Sequence, residues 1–235
     1  MDLAKRLVAA ARAEGRTALD EVSSKRILVD AGIAVPRGVV GADPAAAARA
    51  AATAGLTFPL VAKLVSPDAV HKSDLGGVRL GLSDAAALLE ALEALARLAR
   101  ERGLGLDGLL VEETAPAGCE MVIGGVVDPR FGPVIMAGLG GIFVELFEDV
   151  AFRVCPVAPA DAKDMLEELR AVALLRGARG GPRLDEAAVV AALLAVGGAG
   201  GLMERLGASI RSLDVNPLIV APRGAVACDA RIVPA

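Results

Sequence analysis

The sequence predicts an α/β (α+β) protein of two lobes, and three observations carry that expectation. Strand-like and helix-like segments alternate along the chain. No segment recurs at a fixed period, which sets aside solenoids and propellers. The chain has 235 residues, enough for one large or two smaller cores. The stretch near 104–118 offers an internal boundary, giving an expected division into 1–110 and 111–235. A cleft between lobes is a common place for a ligand.

Two helices are expected at the start, over about 2–14 and 18–31. In the second, Leu19, Val22, Arg26, Leu28 and Val29 recur at near-helical spacing, and Gly32 ends it. GIAVPRGVV reads as a turn into a short strand, and Asp43 followed by Pro44 opens an alanine-rich helix over 43–54. FPLVAKLVS is a strand bounded by Pro59 and Pro67, and GGVRLGL is another. A strongly patterned helix over 83–101 takes Ser83 as its cap, and GLLVEET follows as a strand. Strands are expected near 120–127, 132–137 and 150–157, then helices near 159–170 and 185–200. The last stretch reads as two strands joined by a turn around Pro222, Arg223 and Gly224.

Composition narrows the chemistry. Hydrophobic residues at 54% against 23% charged describe a globular chain. A net charge of -4 leaves no broad basic footprint, so nucleic acid is not an expected partner. Phosphates remain open, because a few cations and backbone N–H groups hold them in an acidic protein. Cys119, Cys155 and Cys228 lack CxxC spacing, which argues against a disulfide framework or a cysteine zinc site. No apolar run reaches bilayer length, and the N-terminus patterns as a charged amphipathic helix rather than a signal peptide. The expected location is the cytoplasm. Trp and Tyr are absent, so neither is there to stack on an adenine.

Polar residues set among apolar strands are the candidates for function. Lys63 sits inside VAKLV, where it is either an edge-strand surface residue or a point charge for a phosphate. Glu112 and Glu113 end a strand; being adjacent they face opposite ways, so at most one faces a given ligand. Gly138, Gly140 and Gly141 form a run that could present N–H groups to an anion, or simply a turn between strands. Asp214 and Asn216 lie two apart on one strand, and Asp229 lies on the next. Such oxygen donors among Leu, Val and Ile suit magnesium, since burying carboxylates without a cation or partners is costly. The single histidine, His71, stands in HKSD just before Gly76 and Gly77. Neutral imidazole is a competent nucleophile at neutral pH.

The order of these motifs is more specific than any one of them. Lys63 in a strand, HKSD-x-GGV, VEE-x-x-P-x-G-x-E, G-x-GG-x-x-V-E, D-x-NPL and a final CDAR strand resemble the ATP-grasp beta subunit of ADP-forming acetyl-CoA synthetase (acetate–CoA ligase). That family is related to the succinyl-CoA synthetase beta chain. The likeness extends over about 20–233 and takes in LLRGARG. It implies an ATP-grasp fold with the nucleotide in a cleft between two lobes. It implies interconversion of acyl-CoA, ADP and phosphate with free acid, CoA and ATP. His71 would be a phosphohistidine relay and Asp214 would steady the histidine or the metal. Lys63, Glu112, Glu113 and Glu120 would serve the nucleotide, and 138–141 the phosphate near the histidine. Asn216 and Asp229 match the magnesium ligands. It also implies a separate CoA-binding alpha subunit in an α2β2 assembly, because the chain has no CoA-binding Rossmann pattern. Two rival expectations are a regulatory ATP-binding domain without turnover and an ATP-grasp carboxylate–amine ligase.

Overall fold

The computed structural model describes residues 2–66, 75–141 and 148–235. These group into two units, one formed by 36–115 and the other by 1–35 with 116–235. A single cut between 110 and 111 does not match this grouping. It would fall inside the strand Gly108–Glu113 and would separate the first two helices from the sheet they cover.

The smaller unit is a four-stranded antiparallel sheet among the described residues. Its strands are β1 (Gly38–Gly41), β2 (Leu60–Val65), β3 (Val78–Leu82) and β4 (Gly108–Glu113), in the order β1-β4-β2-β3. Antiparallel pairing makes the fold α+β rather than a parallel α/β sheet. Helices α3 (Pro44–Thr53) and α4 (Ala85–Glu101) cover one face. In α4 the buried positions 88, 91, 92, 95, 96 and 99 follow helical spacing. The cap of α4 is Asp84, which accepts from the N–H groups of Ala86 and Ala87, not the expected Ser83. An ionised carboxylate at a helix N-terminus also gains from the dipole, which a hydroxyl does not. Close approach of α3 to β1 needs Gly41, since a Cβ there would lie 2.2 Å from the Ala47 nitrogen.

The larger unit is built on a second antiparallel sheet. It comprises β5 (Cys119–Asp128), β6 (Gly132–Leu139), β7 (Val150–Val154), β8 (Ile210–Val220), β9 (Ala225–Ala227) and β10 (Ala230–Pro234). Their order is β10-β8-β5-β6-β7, with β9 also paired to β8. Helices α1 (Leu3–Ala13), α2 (Glu21–Asp30), α5 (Pro159–Glu168), α6 (Glu186–Gly197) and the short α7 (Leu202–Leu206) belong to the same unit. Val8, Ile27 and Leu28 from the first two helices share a core with Met121, Ile135 and Ile232 of the sheet. The Leu19 N–H donates to the Ile232 carbonyl at 2.8 Å.

The chain end holds three strands where two were expected. The eleven residues of β8 are long enough to pair β10 along 210–215 and β9 along 218–220. Between those stretches the ladder is irregular. The Asn216 N–H donates to the Asp229 carbonyl at 3.2 Å, and the Cys228 N–H to the Pro217 carbonyl at 2.9 Å. On the other side of β8 the register with β5 also shifts between Met121 and Ile123. Such breaks re-aim side chains, and this one falls on the polar residues singled out from the sequence.

Candidate functional site

Each unit presents a polar group on the sheet face turned away from its helical core. In the smaller unit, alternation along β2 sends Leu60, Ala62 and Leu64 into that core and Lys63 to the opposite face. Opposite on β4, Val111 enters the core and Glu112 does not. Lys63 Nζ lies 3.1 Å from Glu112 Oε2, and the two side chains are 8% and 4% exposed. Lys63 is therefore no exposed edge residue but half of a buried ion pair.

Glu113 points the other way, as adjacency on a strand requires. Its Oε1 accepts from Arg37 Nη1 and from the Thr57 N–H, both at 3.0 Å. Its backbone N–H donates to the Arg37 carbonyl at 2.9 Å. The structure thus separates the two glutamates: Glu112 joins Lys63, and Glu113 ties the ends of β1 and β4 together.

In the larger unit Glu120 and the glycine run come together. Gly138 lies within β6, paired between Val122 and Val150, so it belongs to the sheet and not to a loop. The turn begins after Leu139. The Gly140 N–H donates to the Glu120 carbonyl at 2.7 Å, and a Cβ on Gly140 would lie 2.9 Å from the Glu120 Cβ. Gly141 follows with φ +62, and the Glu120 carboxylate stands beside it. Neighbouring Cys119 keeps its proton, because burial and then the Glu120 charge push its thiol up.

The third group lies along β8 and β10. Asp214 is the register partner of both Arg231 and Gly124. Directly opposed residues share a face, so Asp214 and Arg231 stand together. Asp229, two residues before Arg231, lies near enough to act on Asp214 through its charge. Burial first, and then Asp229, push the Asp214 carboxyl up to about 6, while Arg231 pulls it back. Asp229 was expected on the neighbouring strand but lies in the break between β9 and β10, and Arg231, which the sequence did not single out, is the residue paired to Asp214.

The Asp214 and Asp229 charges repel one another, and the Asn216 N–H bonds the Asp229 carbonyl beside them. Among the described residues no three His, Cys, Asp or Glu side chains form a metal group by themselves. Two carboxylates and an amide nevertheless fit magnesium, which takes few protein oxygens and completes its shell with water and phosphate. His71 lies outside the described residues. Among those that are described, no helix is long and apolar enough to cross a membrane.

Residues 10–233 match the ATP-grasp domain family. The chain is 36% identical over 232 residues to the subunit beta of an ADP-forming acetate–CoA ligase I from Pyrococcus furiosus, covering 98% of this chain and 97% of that one. It is 33% identical to a 4-hydroxybutyrate–CoA ligase (ADP-forming) from Nitrosopumilus maritimus, where the match takes in 94% of this chain and 31% of the longer one. Among solved structures, acetyl-coenzyme A synthetase 1 of Ca. Korarchaeum cryptofilum superposes in two complexes. With coenzyme A and Ca-AMPCP the TM-score is 0.91 at 37% identity, covering 99% of this chain and 100% of that one. With coenzyme A and Mg-AMPPCP, its phosphohistidine segment pointing towards the nucleotide binding site, the TM-score is 0.81 at 36% identity over the same shares.

Proposed function

From the premise that the chain belongs to the ATP-grasp family, among the beta subunits of ADP-forming acetate–CoA ligases, we propose that it is the nucleotide-handling subunit of an ADP-forming acyl-CoA ligase. It moves a phosphoryl group between His71 and ADP while a CoA-binding alpha subunit, a separate chain in an α2β2 assembly, handles the acyl group. The observation that carries this is the proximity of Asp214 and Asp229, close enough for one charge to act on the other, where the Asn216 N–H meets the Asp229 carbonyl, a donor set suited to magnesium-bound phosphates. The named phosphohistidine segment of the Korarchaeum enzyme supports the role of His71. Its acetate-named and 4-hydroxybutyrate-named relatives have similar identity to this chain, which agrees with acyl choice lying mainly in the partner. The reaction belongs in the cytoplasm, where thiols stay reduced, and none of Cys119, Cys155 and Cys228 forms a disulfide.

In the transfer, a terminal oxygen of ADP attacks the phosphorus on His71. The N–P bond breaks, the new O–P bond completes ATP, and a proton taken up from solvent by the ring leaves the imidazole neutral. Lys63 holds nucleotide phosphates and Glu112 fixes its position. Glu113 braces the segment that lines the adenine. Glu120 orients the Gly140–Gly141 turn by accepting the Gly140 N–H at its carbonyl, leaving the Gly141 N–H to serve the phosphoryl group; Gly138 supports the turn from within the strand. Asn216 and Asp229 would hold magnesium, with Asp214 steadying them; the ion would neutralise phosphate charge.

The chain incubated with magnesium and γ-labelled ATP takes up acid-labile, base-stable label, and His71→Ala takes up none. ATP binding without label would instead favour a regulatory domain. Wild-type turnover of an amine acceptor by His71→Ala would favour a carboxylate–amine ligase.

A further inference from the structure

We propose that Arg79 is a positioning residue for the phosphoryl transfer, fixing the backbone through which the chain leaves the HKSD segment and joins the sheet beside Lys63. The proposal rests on the phosphohistidine role of His71. Its geometry lies wholly in the smaller unit.

Downstream of HKSD the described chain resumes at Leu75, which packs against the core of the smaller sheet. Gly76 follows with φ +70. The Gly77 carbonyl then accepts from the Leu64 N–H at 2.9 Å. Val78 stands directly opposite Lys63, and Arg79 opposite Ala62. Arg79 Nη1 donates to the Gly76 carbonyl at 2.5 Å and to the Val78 carbonyl at 3.1 Å. One guanidinium therefore holds the carbonyls on either side of Gly77, while Gly77 is itself bonded to β2.

Two successive glycines would leave this junction loosely determined, since glycine has the widest backbone choice. A charged donor removes that choice, because hydrogen bonds from a guanidinium are stronger than neutral ones. Arginine suits the task better than lysine, whose ammonium is a compact point charge on a flexible stem. Lys63 stands opposite Val78 in this junction, and His71 precedes Leu75 by four residues in the sequence. A transfer that needs in-line approach is sensitive to such placement; a misplacement of about 1 Å costs on the order of 100-fold in rate.

The test uses the full chain as wild type, Arg79→Lys and Arg79→Met. Single-turnover labelling of His71 from magnesium and γ-labelled ATP is followed over a range of ATP concentrations. Hydrogen exchange at the Leu64 amide is measured alongside. Arg79→Met is expected to slow labelling at saturating ATP by roughly 10- to 100-fold, with the half-saturating ATP concentration unchanged and faster exchange at Leu64. Arg79→Lys is expected to fall between the two, and it keeps the test open if the methionine variant does not fold. Wild-type labelling in both variants overturns the proposal, as does a loss seen entirely as weaker ATP binding. Absence of label on the wild type would overturn the phosphohistidine role and this one with it. Exchange at Leu64 would then still report whether the clamp itself exists.

Discussion

Lys63 and Glu112 neutralise each other where water barely reaches, so removing one takes the opposite charge away from the other. Breaking a buried pair by removing one partner costs about 3–5 kcal/mol, whereas replacing both by apolar groups is often neutral. Lys63→Met should therefore lower the melting temperature sharply. The double variant Lys63→Met/Glu112→Leu should recover most of it, yet still fail to bind ATP by calorimetry; recovered ATP binding would remove Lys63 from the nucleotide site. Asp214 gives a pH signature. Its folded pKa is raised from 3.8 to about 6, so between those values the folded chain holds a proton that the unfolded chain has released. Its charge opposes folding above pH 6, and that penalty is relieved as pH falls through 6 towards 4. Without magnesium, Asp214→Asn should raise the melting temperature at pH 8 and change it little at pH 4. Magnesium should stabilise the wild type more at pH 7.5 than at pH 5, because protons compete for the same carboxylate. Thermal scans across pH check both. At this scale the sequence showed which residues were polar in apolar company, and strand alternation showed that Glu112 and Glu113 must part. It could not show which of the two faced Lys63, because that depends on the pairing of β2 with β4.

Strands and helices were legible from period and punctuation, and the departures have local causes. Asp84 outcompetes Ser83 as a cap because its carboxylate reaches two N–H groups. Gly138 joins the ladder because β6 is held by strands on both sides as far as Gly138, with Leu139 still paired to β5. The split of the last strand into β9 and β10 follows from the length of β8, which no local pattern reveals. The turn after β6 carries a direct test. A Cβ on Gly140 would meet the Cβ of Glu120 at 2.9 Å and its backbone at 3.2 Å. Overpacking of this kind costs roughly 1–3 kcal/mol. Gly140→Ala should lower the melting temperature by a corresponding few degrees and slow labelling of His71 by more than tenfold, about 1.4 kcal/mol in the barrier. Unchanged transfer would mean that the turn does not serve the phosphoryl group.

The division into two units was only half visible in the sequence. A boundary near 104–118 agrees with the exit of the smaller unit at 115, but its entrance at 36 lies between a helix and a short strand with no change of composition. Residues 1–35 belong with the distant second half because Val8, Leu19, Ile27, Leu28 and Ile33 complete its core, a long-range fact that periodicity does not carry. Deleting 1–35 should strip hydrogen-exchange protection from β5 and β8 while β2 and β4 keep theirs; equal loss in both sheets would contradict two separate cores. The order of motifs along the chain, more than any single one, made the family legible. The central claim is that this chain by itself passes phosphate between His71 and ADP, and its most direct test starts from chain already phosphorylated with labelled phosphate and freed of nucleotide. Magnesium and ADP are added without any partner, and the label is followed by chromatography. Recovery of the label as ATP, one for each phosphate lost from the chain, is the predicted result. Label that stays on the protein or leaves as inorganic phosphate would contradict it.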